Sequence, residues 1–76
     1  MLDGRKMAEL REKRGLTQYQ LAVQAGLTIQ TISMLENGRT NSPGLDTVAK
    51  IAQALGTPLT ALLLVGDSNA VFETRE

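Results

Sequence analysis

The sequence contains no cysteine and no histidine. Disulfides, thiolate nucleophiles, imidazole bases and the usual zinc ligands are therefore excluded together. No stretch approaches the roughly 18 consecutive apolar residues that a membrane span needs, and the N-terminus lacks the apolar run of a signal peptide. These absences fit a soluble protein of a reducing cytoplasm that uses no cofactor and no membrane. Carboxylates are present, but no close pair sits with a plausible cleft, and the lysines and serines fall in unrelated positions. An enzyme is accordingly the poorest reading.

An excess of one charge sign is also missing, with eight basic residues against eight acidic. The distribution along the chain is less even. Residues 1–65 carry seven basic side chains and five acidic ones, whereas the segment from Gly66 holds Asp67, Glu73 and Glu76 against Arg75. The body is mildly basic and the tail acidic. A chain of 76 residues buries only about 60–65% of its unfolded surface, so its apolar side chains serve one core. We expect one domain over 1–65 and a tail over 66–76, either disordered or forming a short dimer strand around Ala70–Thr74.

The apolar spacing predicts five short helices. Asp3 caps a first helix over about Gly4–Arg14, with Met7, Leu10, Arg11 and Arg14 on one face, and Gly15 stops it. Thr17 and Gln20 have the spacing of a capping box for a second helix, whose inner stripe is Leu21, Ala22 and Ala25. Gly26 ends that helix and Thr28 caps the next, so the turn is tight. At about 100° per residue, Ile29, Ile32, Leu35 and Glu36 share a buried arc of helix three, while Gln30, Met34 and Asn37 point away and Thr31 and Ser33 flank them. A fourth helix places Leu45, Val48, Ile51, Ala52 and Leu55 on one stripe and ends at Gly56. Thr57 and Pro58 read as the cap and first position of a fifth, through about Leu64.

Two helices joined through one glycine, the second burying one face and displaying hydrogen-bonding groups on the other, can offer that outer face to a groove. At these residues the chain resembles the lambda-repressor-like, Cro-type helix-turn-helix regulators, the Xre family. The resemblance covers roughly Met7 to Leu63. It rests on Gly15-Leu16-Thr17-Gln18, Leu21-Ala22, Ala25-Gly26, Ile32-Ser33, Leu35-Glu36-Asn37-Gly38-Arg39 and Ile51-Ala52 before Leu55-Gly56. It implies an all-α, five-helix DNA-binding domain whose third helix enters the major groove of double-stranded DNA.

The positions matching the base-reading sites are Thr28, Ile29, Gln30, Thr31 and Met34. A carboxamide such as that of Gln30 pairs bidentately with adenine, and apolar Ile29 and Met34 suit thymine methyl groups, so A·T-rich half-sites are expected. Thr17, Gln18, Ser33, Asn37, Arg39, Thr40 and Asn41 match the phosphate-contacting positions. Arg5, Lys6, Lys13 and Arg14 add at most a diffuse field. Arg11 lies on an apolar stripe and Glu36 on a buried arc, and unpaired buried charges are costly, so an Arg11–Glu36 ion pair is expected, as the resemblance also implies.

A short recognition helix with few cations binds weakly alone. Two copies about a two-fold axis would read a palindromic operator with half-sites about 34 Å apart. Leu64, Val65, Val71 and Phe72 are the candidate dimer surface. The competing reading is an antitoxin-like or accessory module whose main partner is another protein.

Overall fold

The computed structural model describes residues 2–39 and 43–63. Four α-helices and one 3-10 helix follow one another: α1 Gly4–Lys13, α2 Gln18–Ala25, α3 Ile29–Glu36, α4 Leu45–Leu55 and η1 Leu59–Leu62. The core joins Met7 of α1, Leu21, Ala22 and Ala25 of α2, Ile32 and Leu35 of α3, Val48, Ile51, Ala52 and Leu55 of α4, and Leu62 of η1. Leu10, Leu16, Leu27 and Leu59 pack against its edge. Among the described residues no helix is long and apolar enough to cross a membrane.

The local signals act as their chemistry dictates. Asp3 Oδ1 accepts the Lys6 amide at 3.2 Å and starts α1. Thr17 and Gln20 close a reciprocal capping box: the Gln20 amide donates to Thr17 Oγ1 at 3.0 Å and the Thr17 amide to Gln20 Oε1 at 2.9 Å. Each α-helix then ends on a glycine with positive φ. At Gly26 (φ 72°) its own amide bonds Val23 O at 3.2 Å and the Leu27 amide bonds Ala22 O at 2.8 Å, which turns the chain straight into the α3 cap. Substituting a residue with a β-carbon there would strain the turn between α2 and α3.

Three expectations are corrected. The fifth helix is only a 3-10 turn. Its intended cap, Thr57, is consumed by α4, where its amide bonds Ala52 O at 3.0 Å, and Pro58 precedes the first turn. At the other end Leu63 is extended and forms an antiparallel bridge with Leu2, while the Asp3 amide donates to Leu62 O at 2.7 Å. Four residues are left between these two obligations, too few for an α-helix. Leu45 is not on the buried stripe of α4: it is 69% exposed, and burial begins at Val48. Ile29 likewise leaves the buried arc of α3 and is 48% exposed. Both are the first residues of their helices, and Cα–Cβ bonds tilt towards a helix N-terminus, which carries these side chains past the end of the packed stripe.

Gly4 has a role that periodicity does not reveal. A β-carbon there would collide with the Leu35 carbonyl oxygen and lie 2.9 Å from that of Glu36, so the first turn of α1 rests directly on the C-terminal turn of α3. Neither obstacle is a flexible side chain. Gly4→Ala is expected to cost about 1–3 kcal/mol, the usual range for overpacking, despite alanine's better helix propensity. A chemical denaturation midpoint equal to or above the parent's would refute this contact.

Candidate nucleic-acid interface

The interface is built on α3, an eight-residue helix held on one side and open on the other. Ile32 and Leu35 anchor it in the core. Thr28 caps it, accepting the Thr31 amide at 3.1 Å. Its far end closes over Gly38 (φ 70°), whose amide bonds Leu35 O at 3.3 Å while the Arg39 amide bonds Met34 O at 2.9 Å. That second bond places Arg39 beside the helix it follows.

Ile29, Gln30 and Met34 are exposed on the open side. Together with Gln18, Ser33 and Arg39 they line one shallow groove along α3 and the start of α2. The fold therefore gathers into one surface residues separated by up to 21 positions in sequence. Thr28 is exposed and Thr31 half-buried at the N-terminal end of the same helix, and their hydroxyl oxygens are 2.9 Å apart. Asn37 is exposed at the other end, with Nδ2 donating to Ser33 Oγ at a long 3.5 Å. Thr17 is occupied by the capping box but exposed. Thr40 and Asn41, like Leu64, Val65, Val71 and Phe72, lie outside the described residues.

Behind the groove stands a three-helix knot. Arg11 Nε donates to Glu36 Oε2 at 2.7 Å and its NH2 to Oε1 at 3.2 Å, a forked pair whose side chains are 12% and 6% exposed. Arg11 NH1 also donates to Leu16 O at 2.7 Å, fixing the turn that leads into α2. Gln18 Nε2 donates to the same Glu36 carboxylate at 2.9 Å. The hydrogen bond to Glu36 raises the Arg11 pKa, outweighing the opposing effect of burial, so Arg11 stays charged. No buried polar side-chain atom among the described residues lacks a partner.

Sequence reasoning missed two of these links. The Gln18–Glu36 bond leaves no trace in the spacing, because it joins different helices. The Thr28–Thr31 pairing does have a signal: residues three apart on a helix are neighbours, and both carry hydroxyls.

Residues 7–62 match the sequence pattern of the family described as Helix-turn-helix. The chain belongs to that family. Among helix-turn-helix proteins it is 42% identical to the uncharacterized HTH-type transcriptional regulator RghRB of Bacillus subtilis (strain 168), over 96% of this chain and 54% of that one. It is 35% identical to the HTH-type transcriptional repressor RghR of the same organism, over 95% of this chain and 58% of the relative. The chain thus spans little more than half the length of these two relatives. Its fold is similar to that of the restriction-modification controller protein C.AhdI of Aeromonas hydrophila, with a TM-score of 0.75 and 33% identity, covering 79% of this chain and 89% of the controller. These likenesses place the chain with the lambda-repressor-like, Cro-type helix-turn-helix transcriptional regulators.

Proposed function

We propose that the chain binds double-stranded DNA sequence-specifically as a dimeric transcriptional regulator, acting as a repressor. The observation that carries this reading is the division of α3: Ile32 and Leu35 are locked inward while Ile29, Gln30 and Met34 stand exposed along one groove with Arg39 at its edge. Such a helix presents hydrogen-bonding and methyl-bearing groups to the major groove while its own backbone is already satisfied. Thr28, Ile29, Gln30, Thr31 and Met34 read base edges. Thr17, Gln18, Ser33, Asn37 and Arg39, with Thr40 and Asn41, face phosphates.

For Gln18 the geometry adds a restriction. One N–H of its carboxamide is spent on Glu36, which leaves a single hydrogen for a phosphate. With Arg39 as the one cation in the phosphate set, a single copy binds weakly, and two copies on a palindrome supply the missing affinity. The repressor role is supported by the likeness to RghR.

The test is selection of bound duplexes from a random pool at two salt concentrations. The expected result is a palindrome with A·T-rich half-sites about 34 Å apart, bound less tightly at the higher salt. Gln30→Ala should remove about 1–3 kcal/mol of discrimination at one position of each half-site and leave the melting temperature unchanged. A pool without enrichment at low salt would overturn the DNA-reading role and turn attention to a protein partner.

A further inference from the structure

We infer that Thr28 and Thr31 act as one donor–acceptor unit that selects adenine. This rests on the DNA-reading role proposed above and assigns a base to one part of it. A hydroxyl carries one hydrogen to donate and two sites that accept. Thr28 Oγ1 already accepts the Thr31 amide at 3.1 Å, and the two hydroxyl oxygens lie 2.9 Å apart, so one of them donates to the other.

Suppose Thr31 is the donor. Both acceptor sites of Thr28 are then filled, its hydrogen is free, and the Thr31 oxygen is left to accept. If Thr28 is the donor, the Thr31 hydrogen is free and Thr28 keeps one acceptor site. In both arrangements the pair offers one hydrogen from one oxygen and an acceptor on its neighbour. A lone threonine hydroxyl rotates to either role and discriminates little; the mutual bond leaves the pair one hydrogen to give, from whichever oxygen is not already donating to the other.

The major-groove edge of adenine sets an acceptor, N7, beside a donor, the N6 amino group. Guanine sets two acceptors side by side, cytosine presents a donor, and thymine an acceptor beside a methyl group. Adenine alone answers both halves of the pair. Against guanine, the pair's accepting oxygen would face O6 with no hydrogen between them, which leaves both unsatisfied.

The experiment is duplex selection with the full chain and with Thr31→Val, which keeps the side-chain shape and the Thr28 cap on the residue-31 amide. In the parent, one half-site position should favour adenine over guanine by about tenfold or more, falling to within about twofold in Thr31→Val. Thr31→Ser and Thr28→Ser retain both hydroxyls and should retain the preference. Should Thr31→Val fail to fold, Thr31→Ala against Thr31→Ser makes the same comparison. Replacing the selected adenine by purine, which lacks the 6-amino group, should weaken the parent and leave Thr31→Val unaffected. The inference is overturned if Thr31→Val favours adenine as strongly as the parent at every position, or if the serine variants lose the preference with it. A parent chain that enriches no sequence is a different result, and it removes the DNA-reading role itself.

Discussion

Arg11→Ala is expected to destabilise the fold by about 2–3 kcal/mol, below the roughly 3–5 kcal/mol lost when one partner of a fully buried ion pair is removed, because this pair is part-buried. The reason is what remains. Glu36, with its side chain 6% exposed, would be left with only Gln18 donating to it. The Leu16 carbonyl would lose its donor as well, freeing the turn before α2. Small domains have only about 5–15 kcal/mol of stability in total, so the loss would be visible in any urea titration as a lower midpoint. Arg11→Lys should recover only part of it, because an ammonium group cannot reach both carboxylate oxygens and the Leu16 carbonyl as a planar fork does. Replacing Arg11 and Glu36 together by apolar residues of similar size should cost less than Arg11→Ala alone. A midpoint for Arg11→Ala within experimental error of the parent's would show that the pair contributes nothing.

Ile32→Ala and Ile29→Ala are expected to separate stability from recognition. The two isoleucines are three residues apart on the same helix, yet one is fully buried and the other 48% exposed. Removing Ile32 opens a cavity where α3 meets the core, at about 2–5 kcal/mol. Removing Ile29, which is 48% exposed, should change stability by no more than about 0.5 kcal/mol. Its effect should appear instead in DNA binding, as a weakened preference for thymine at the position its methyl groups face. Equal destabilisation by the two variants would mean that Ile29 packs inward after all.

Much of this architecture was legible in the sequence because it is written in local chemistry. Caps at Asp3, Thr17 and Thr28 and stops at Gly15, Gly26 and Gly56 mark six of the eight ends of the four α-helices, since each acts within one turn of its own position. The core residues Met7, Leu21, Ile32, Ile51 and Leu55 follow from period alone. What period could not supply was where a stripe runs out. Ile29 and Leu45 have the right angle but occupy first positions, where the side chain leans off the end of the packed face. Nor could the sequence announce that Leu63 would be claimed by Leu2, 61 positions away, which shortened the last helix to a single 3-10 turn. The same limit applied to the site. The Arg11–Glu36 contact was suggested by two charges on apolar stripes, whereas the Gln18 bond to the same carboxylate and the close seat of Gly4 on α3 depend on how separate helices approach.

The pairing of Leu2 with Leu63 has a practical consequence for protein engineering. Residues 2 and 63 lie side by side, antiparallel, at the two ends of the described helical unit, with the Asp3 amide bonded to Leu62 O. Domains whose ends lie together in this way can be inserted within another chain as well as joined end to end. A host would need to open a surface loop by only about 5 Å, the spacing of two paired strands, to receive the whole four-helix unit as a cassette.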